Sequence, residues 1–377
     1  AYVWQLSVGE QQRVEIVKAL FLGASLLVLD EPTAVLTPQE IPQLFGELKR
    51  LRDKGHTIIF ISHRLDEVLS LSDRVTVMRR GRVVGTSETS ALTKQDLARQ
   101  MVGREVLFTS KRLPQAPGDV VFSAQGVSAS DAEHRTRLHN VSIVVHSGEI
   151  VGVAGVEGNG QFELVNAIVG LTPLSSGTLT VAGVDITHAS ILKRRGLIAF
   201  VSQDRGKMGA SGNASILENA IMTHHLLDSS FRTFGGLGLN RRRAAAFTEQ
   251  IRKQFAVSMG KASDAFHSLS GGNQQKVILG RELLLDTPFV LMDQPTRGLD
   301  VGSIEYVHEL LLDLRSRRRA VLLVSADLDE LFMVSDRIVV MVQGRVAADL
   351  AADATSREEV GYYMLGGKEP AHAETSS

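Results

Sequence analysis

Four short sequence motifs occur twice in this chain, and the two occurrences of each motif are always 263 residues apart. A constant spacing over about seventy residues indicates one fold present twice, because scattered similarity would not keep a fixed offset. The pairs are Leu6–Arg13 with Leu269–Lys276, Leu29–Thr33 with Met292–Thr296, Ile61–His63 with Val324–Ala326, and Ser72–Val75 with Ser335–Ile338. The copies differ at two groups that can move protons, since Glu31 becomes Gln294 and His63 becomes Ala326.

Composition limits the classes of function that this chain can have. At 377 residues and 44% hydrophobic content, it can bury two ordinary cores. The formal charge of −1 gives no bulk attraction to nucleic acid or to anionic lipid. Cysteine is absent, which excludes disulfides and thiolate metal sites. No apolar run approaches the roughly 18 residues that a membrane-spanning helix requires, so any role at a membrane is expected to depend on partners.

Strand and helix signals alternate along the chain, which predicts an α/β fold with a mostly parallel sheet. The apolar runs Leu26–Asp30 and His56–Ser62 read as buried strands, and Arg74–Gly85 reads as a hairpin turning at Arg80–Gly81. Further predictions are a helix over residues 6–22 opening at Ser7, a helix after Pro38, strands within Val141–Val153 about a turn at Ser147–Gly148, a helix from Gln161, a strand at Leu197–Val201, and a mostly helical insertion over residues 204–268.

The offset also predicts the domain organisation. Residues 1–112 form the C-terminal part of a first domain, 113–118 a linker, 119–367 a complete second domain, and 368–377 a disordered tail. Because the second copy begins near Asp119 and Ala1 matches Asp264, about 145 residues of the first copy are expected upstream of this chain. We therefore expect the sequence to be an N-terminally truncated part of a longer protein.

Two adjacent carboxylates follow the first apolar strand. At the carboxyl edge of a parallel sheet, where such folds bind ligands, Asp30 is suited to holding Mg²⁺ and Glu31 to orienting or deprotonating a water. His63, at the end of the neighbouring strand, could donate to a γ-phosphate. The alternative is that Asp30–Thr33 caps a strand and that His63 is an ordinary surface histidine, and the spaced recurrence of the whole set disfavours it.

A serine followed by glycines at a helix start forms a second candidate site, because free backbone N–H groups there attract anions. Leu269–Gln275, followed closely by Leu291–Thr296, resembles the signature and Walker B motifs of ABC transporter ATPases. The resemblance covers essentially residues 1–365. The tandem form looks like the fused ATP-binding subunits of bacterial sugar and nucleoside importers, and Gln294–Gly298 makes the nucleoside branch the closer likeness. It implies P-loop NTPase-type domains with a helical subdomain, one copy partial and one complete, that use ATP and Mg²⁺.

The loop Gly155–Glu163 lies where such ATPases carry the P-loop, Gly-x-x-x-x-Gly-Lys-Ser/Thr. The glycines remain, so a cradle for phosphates is sterically allowed. The lysine position holds Gln161, the Mg²⁺-binding hydroxyl is replaced by Phe162, and Glu163 adds a negative charge. This loop is therefore predicted not to support ordinary Mg-ATP hydrolysis.

The resemblance also implies that the two copies pair head to tail as a pseudo-dimer, with each nucleotide between one P-loop and the other copy's signature. The competent site then uses Glu31 and His63 as catalytic residues and Asp30 as the metal ligand. Its ATP-binding residues are Ser270, Gly271, Gly272, Asn273, Gln274 and the D-loop Asp300. The degenerate site combines Gly155, Gly158, Asn159, Gly160, Gln161, Phe162, Glu163, Gln203 and Asp293 with Ser7, Gly9 and Glu10.

These features predict an ATP-hydrolysing subunit that energises an importer for nucleosides or simple sugars at the cytoplasmic face of the cell membrane. The expected partners are integral-membrane permease subunits and, indirectly, an extracytoplasmic solute-binding protein, with no nucleic acid. By resemblance, Gln203 belongs to the Q-loop that leads into an insertion receiving the permease. The alternatives are a soluble ABC ATPase acting on ribosomes or DNA, and a non-hydrolysing nucleotide-binding scaffold. The isolated chain is expected to be inactive, and the sequence does not identify the solute.

Overall fold

The computed structural model describes residues 8–33, 40–62, 64–79, 81–102, 112–130, 136–156, 158–233, 236 and 238–367. These residues fall into two compact units. The first lies within residues 1–108 and 298–305, and the second within residues 109–297 and 306–377. Within the described ranges, no helix is both long and apolar enough to cross a membrane.

The first unit is built from short strands and the helices that follow them. Its elements are α1 (Val8–Phe21), β1 (Leu26–Asp30), α2 (Glu40–Asp53), β2 (Thr57–Ile61), α3 (Leu65–Leu71), β3 (Arg74–Arg79), β4 (Arg82–Glu88) and α4 (Lys94–Val102). Strands β1 and β2 pair in parallel, and β3 and β4 form an antiparallel hairpin. A small apolar cluster holds α3, β3 and α4 together through Leu65, Val77, Leu97 and Ala98.

The second unit begins with an antiparallel sheet whose strand order is β6–β5–β8–β9. Its strands are β5 (Val120–Ser130), β6 (Thr136–His146), β8 (Leu174–Val181) and β9 (Val184–Asp185). Strand β7 (Ile150–Ala154) follows β6 in the chain but belongs to a second sheet. Helix α5 (Gln161–Val169) comes after it, beyond a glycine-rich loop. Short helix α6 (Ile191–Arg195) then leads into β10 (Ile198–Val201).

A six-stranded sheet of order β10–β13–β14–β7–β15–β16 forms the centre of the second unit. The additional elements are α10 (Gly271–Leu283), β13 (Phe289–Asp293), α11 (Val301–Ser316), β14 (Ala320–Val324), α12 (Leu328–Val334), β15 (Arg337–Val342), β16 (Arg345–Ala351) and α13 (Arg357–Met364). The first five strands run parallel, and only β16 is antiparallel to its neighbour. An apolar core draws residues from both sheets and includes Phe122, which stacks on Phe289 at 4.4 Å between ring centroids.

The region between β10 and α10 is mostly helical, as its sequence predicts. It contains α7 (Ile216–Ala220), α8 (His224–Leu227), α9 (Arg241–Gln254), a π-helical turn at Arg205–Gly209, and the two-residue strands β11 (Arg232–Thr233) and β12 (Gly238–Leu239). Buried Arg281 of α10 connects this region to the rest of the unit. It donates to the Asn219 carbonyl at 3.2 Å, to the Gly209 carbonyl at 2.8 Å, and to the Glu282 carboxylate at 2.9 Å.

The offset of 263 residues is also visible in the bounds of the secondary structure elements. Strands β1, β2, β3 and β4 and helix α3 have the same bounds as β13, β14, β15, β16 and α12 once the offset is applied. The register agrees as well, because Leu26 pairs with Thr57 where Phe289 pairs with Ala320. Both hairpins carry an irregularity at the equivalent step, Val77/Met78 and Val340/Met341.

Several sequence predictions differ from the observed bounds. The strand predicted at His56–Ser62 is one residue shorter at each end, and the hairpin predicted to end at Gly85 continues to Glu88. The segment Val141–Val153 contains the turn expected at Ser147–Gly148, but β6 starts earlier, at Thr136. The predicted linker is held against the second unit, since Arg315 donates to the Leu113 carbonyl and Arg318 to the Ala116 carbonyl. Ser7, Pro38, Arg80 and residues 368–377 lie outside the described residues.

Candidate functional site

Asp30 and Glu31 lie at the carboxyl end of β1, as the sequence predicts. Asp30 is the last residue of the strand and is exposed. Glu31 adopts a left-handed backbone conformation with φ of 47°, and its N–H donates to the Ile61 carbonyl at 2.9 Å. A non-glycine residue in this conformation is uncommon and is held here by the neighbouring strand. Two successive carboxylates therefore lie at the end of β1.

A buried carboxylate supports the loop that follows β2. Glu67 accepts hydrogen bonds from the Thr33 hydroxyl at 2.6 Å and from the Ser62 hydroxyl at 3.1 Å. It also forms an ion pair with Arg64 at 2.9 Å. These contacts fix the residues on both sides of position 63. His63 itself lies outside the described residues, so its predicted role stays a prediction.

The end of β13 repeats this geometry with different chemistry. Gln294 has a φ of 48°, and its N–H donates to the Val324 carbonyl at 2.8 Å. Asp293 is almost fully buried, and burial raises its pKa to about 6, although the N–H of Gln203 and the charge of Arg297 oppose that rise. Exposed Ala326 occupies the position of the first copy's histidine. The second copy thus keeps the turn but not the groups that move protons.

The glycine-rich loop between β7 and α5 contains two glycines in the left-handed backbone region. Gly158 and Gly160 adopt φ values of 90° and 103°, which glycine allows at little cost. A Cβ atom at Gly160 would lie 2.8 Å from the Gly344 Cα, so the loop also needs glycine there for packing. Asn159 braces the loop, because its side chain accepts from the Gln343 N–H at 3.1 Å.

The side chains at the end of this loop differ from the lysine and hydroxyl of an ordinary P-loop. Gln161 folds back into the loop, where its Nε2 donates to the Val156 carbonyl at 3.3 Å. The same amide lies over Gly155, whose Cβ would come within 2.1 Å of it. Phe162 is half exposed and offers no oxygen, and Glu163 lies in the first turn of α5. The loop therefore retains its backbone donors but contributes no cation of its own.

The signature serine is held in an unusual way. Ser270 precedes α10 but makes no side-chain capping bond to the helix backbone. Its Oγ accepts instead from Asn273 Nδ2 at 2.9 Å, and Asn273 Oδ1 accepts from the Ser258 N–H at 2.8 Å. The backbone donor at Ser258 fixes which end of the amide faces Ser270. Because Ser270 Oγ accepts from Asn273, its own hydroxyl proton does not point at that amide group.

The Q-loop shows contacts that the sequence analysis missed. Arg297 Nη1 donates to Gln203 Oε1 at 3.3 Å. Arg205, in the π-helical turn, donates to the Gly271 carbonyl and to the Arg297 carbonyl, both at 3.2 Å. The loop is thereby tied to the signature and to the residues after β13. The one available signal was the offset itself, since the position that holds Ala34 in the first copy holds Arg297 in the second.

The remaining predicted residues are described in part or not at all. Asp300 accepts from the Ser303 N–H at 3.0 Å and from the Ser303 hydroxyl at 2.8 Å, as a helix-capping residue does. Gln274 donates to the Leu269 carbonyl at 2.9 Å. Gly9 and Glu10 lie in α1, and Ser7 is outside the described residues. In the described part of the chain, no cluster of three or more His, Cys, Asp or Glu side chains could hold a metal ion.

Comparison with known proteins identifies the class to which this fold and these motifs belong. A family model described as ABC transporter matches residues 1–34 and 138–297. The bacterial ABC transporter cassette MJ0796, in a dimeric structure, has a TM-score of 0.52 and 24% identity, covering 61% of this chain and 98% of that chain. That likeness concerns the fold. The chain belongs to the ABC transporter ATPase family, whose members couple ATP hydrolysis to transport.

Two relatives of this chain are ATP-binding proteins of importers. The glucose import ATP-binding protein TsgD13 of Haloferax volcanii is 47% identical over 97% of this chain and 67% of its own length. The nucleoside import ATP-binding protein NupA of Lactococcus lactis is 41% identical over 97% of this chain and 72% of its own length. Its close relatives are thus ATP-binding subunits of sugar and nucleoside importers, and this chain spans about two thirds to three quarters of their length.

Proposed function

We propose that this chain is the ATP-binding subunit of an importer for a simple sugar or a nucleoside, with one hydrolytic and one degenerate nucleotide site. The importer relatives support the transport role. On this proposal, the subunit binds permease subunits at the cytoplasmic face of the membrane and serves an extracytoplasmic solute-binding protein through them. Residues 1–112 are then part of one ABC domain, and residues 119–367 form a complete one.

One observation carries the proposed asymmetry. Glu31 and Gln294 have the same backbone conformation, with φ values of 47° and 48°, and the same N–H contact to the neighbouring strand. The two sites therefore differ in side-chain chemistry rather than in fold. A carboxylate can accept a proton from an attacking water, whereas a neutral amide cannot.

The first copy carries residues suited to hydrolysis. Exposed Asp30 at the end of β1 fits Mg²⁺, which binds through few carboxylates and keeps several waters. Bound Mg²⁺ supplies charge neutralisation at the phosphates. Glu31 orients and deprotonates the water, and His63 donates to the γ-phosphate. The contacts of Glu67 with Thr33, Ser62 and Arg64 hold the loop on both sides of His63.

The helical region between β10 and α10 is the proposed docking region for the permease. Arg281 supports this role, because it joins the carbonyl groups of Gly209 and Asn219 to the helix that begins at the signature. A displacement of the helical region is thereby passed to Ser270 through a buried guanidinium. Arg281 lies in the last turn of α10, so the helix itself links this contact to Ser270 at its other end.

Solute uptake tests the proposed function directly. Deletion of the gene should abolish uptake of one radiolabelled sugar or nucleoside, and the full gene should restore it. Unchanged uptake of every sugar and nucleoside tested would remove the importer assignment. A second assay uses the 377-residue chain alone, which we expect to show no ATP turnover because its described P-loop carries Gln161 instead of lysine. Steady hydrolysis by that chain would contradict the degenerate site.

A further inference from the structure

The second copy lacks one of the oxygen ligands that hold Mg²⁺ beside a nucleotide in a P-loop. The position that supplies a hydroxyl in P-loops holds Phe162, which is half exposed and has no oxygen. By the family likeness, Asp293 and Gln203 stand at the Walker B and Q-loop positions, and both keep side-chain oxygens. Both already have protein partners, since the Asp293 carboxylate accepts from the Gln203 N–H and Gln203 Oε1 accepts from Arg297. The residues present therefore do not fit a bound Mg²⁺.

Arg297 supplies a fixed positive charge where these two oxygen ligands meet. Its guanidinium lies 3.3 Å from Gln203 Oε1, and its charge also acts on the Asp293 carboxylate, whose pKa it lowers. Its own backbone carbonyl accepts from Arg205, which fixes the start of the loop that carries it. The first copy has Ala34 at this position, so the cation occurs only in the copy that has lost the P-loop lysine and hydroxyl.

We propose that the Arg297 guanidinium takes the place of Mg²⁺ in the second copy, so that this site binds the phosphates of a nucleotide without a divalent cation. The proposal deepens the proposed function and rests on it in one respect, namely that Gly155–Phe162 is a nucleotide-binding loop. Backbone donors around Gly158 and Gly160 contact the phosphates, and Arg297 neutralises them. Arginine suits this role because it stays charged and presents several donors in a planar fork.

The chemistry of the side chains, rather than the net charge, explains why such a site would hold nucleotide without hydrolysing it. Compared with an ordinary Mg-ATP site, it has lost the lysine and the metal, and has gained Glu163 and Arg297. An arginine neutralises phosphates in place, but it does not organise a water for attack, and Gln294 cannot deprotonate one. A nucleotide here would stabilise the second unit while the first copy turns over.

The test is ATP binding by the 377-residue chain, measured by equilibrium dialysis with excess MgCl₂ or with EDTA. The unmodified chain should bind ATP with the same affinity, within about twofold, under both conditions. Arg297→Ala should weaken binding by roughly tenfold or more in both, since hydrogen bonds to charged groups are among the strong ones. Arg297→Lys keeps the charge and should bind more tightly than Arg297→Ala. The matched control is Arg242→Ala, an exposed arginine of α9, which should bind as the unmodified chain does.

A second variant, in which an ordinary P-loop is rebuilt, tests the proposal even if Arg297→Ala perturbs the loop. The triple variant Gln161→Lys/Phe162→Ser/Arg297→Ala restores the lysine and hydroxyl and should bind ATP more tightly with MgCl₂ than with EDTA. Three results would overturn the proposal: a tenfold gain in affinity from Mg²⁺ in the unmodified chain, equal affinity of Arg297→Ala, or no ATP binding at all. None of these affects solute uptake by the importer, so this proposal and the proposed function fail separately.

Discussion

The strand pairs β1–β2 and β13–β14 have the same register but different surroundings. Leu26 and Val28 are 50% and 59% exposed, whereas their counterparts Phe289 and Leu291 are fully buried. The other face is covered in both pairs, since Leu27 is 4% exposed. The antiparallel sheet and α5 cover the second pair. Local sequence therefore sets the strands, their register and the turn. Whether the second face of the strand pair is buried depends on other elements packing against it.

The ends of these strands show the same separation between backbone and chemistry. Glu31 and Gln294 have equal backbone angles, yet only the first carries a carboxylate. Arg297 appears in the second copy where the first has Ala34. The two copies share a scaffold within one chain, while their sites differ in chemistry. The comparison predicts that equivalent substitutions in the two copies have unequal consequences.

The largest difference is expected for the carboxylate that follows β1. Glu31→Gln should lower the ATPase rate of the assembled importer by roughly 10²–10⁴-fold, because a positioned general base is lost. The reciprocal change, Gln294→Glu, should leave the rate unchanged, because Gln161 and Phe162 still provide neither the lysine nor the hydroxyl of a P-loop. Steady-state phosphate release from both variants measures this. Near-normal turnover by Glu31→Gln would place catalysis elsewhere.

Core substitutions should separate the two strand pairs by stability. Phe289→Ala removes a ring stacked on Phe122 and should cost about 3–5 kcal/mol. In the 377-residue chain, Leu26→Ala, at the equivalent but half-exposed position, should cost less than about 1 kcal/mol. Leu27→Ala is the control within the same strand and should cost about 2–5 kcal/mol because that side chain is buried. Urea unfolding monitored by hydrogen exchange reports each strand, and equal costs at positions 26 and 289 would contradict the difference in burial.

The buried carboxylate of the second copy should make stability depend on pH. The folded pKa of Asp293 is about 6, above its ordinary value of 3.8, so the folded state binds the extra proton. Its stabilising contribution is present below pH 3.8 and is lost as the pH rises through 6. The loss amounts to about 3 kcal/mol, because one pKa unit corresponds to about 1.4 kcal/mol.

Asp293→Asn should therefore unfold at higher urea than the unmodified chain at pH 7.5, and at similar urea near pH 4. Asparagine keeps an oxygen that can accept from the Gln203 N–H. The matched control is Asp30→Asn at the equivalent, exposed position, which should change stability much less. A lower midpoint for Asp293→Asn at pH 7.5 would show that the carboxylate stabilises the fold.

A smaller effect is expected from reversing the hydrogen bond to Ser270. Asn273→Asp keeps the side-chain shape and the acceptor for the Ser258 N–H, but its second oxygen can only accept. The Ser270 hydroxyl then donates to the introduced carboxylate rather than to phosphate. ATPase activity of the importer should fall by roughly ten- to a hundredfold, in line with one hydrogen bond to a charged group.

A double-variant comparison separates this orientation effect from the added negative charge. In a Ser270→Ala background there is no hydroxyl to turn, so Asn273→Asp should cause little further loss. An equal loss with and without Ser270 would mean that charge repulsion, rather than hydroxyl direction, explains the effect.

Much of the fold could be predicted from the sequence, but with clear physical limits. The strands β1 and β13 are short apolar runs that end in polar residues, and both were predictable. Strand β5 was not predicted, because Gly126, with φ of 60°, and several register shifts interrupt its alternation.

The candidate site could be predicted as a set of residues, whereas its contacts could not. The degenerate P-loop was predicted from residue types, and its degeneracy stays a prediction. The contacts of Arg297 with Gln203 and of Asn273 with Ser270 depend on how long side chains meet across loops, which spacing does not encode. His63 and Ser7 lie outside the described residues, so their roles stay predictions.

The most direct test of the asymmetry is a single-turnover experiment on the assembled importer. Radiolabelled ATP is bound first, excess nucleotide is removed, and the protein-bound products are separated after the reaction has stopped. In the unmodified importer, the account predicts that ATP bound at the site of Glu31 becomes ADP, while ATP bound at the site of Gln294 stays ATP. In the Glu31→Gln variant, the ATP at both sites should stay ATP. Complete conversion of the bound ATP to ADP in the unmodified importer would contradict it.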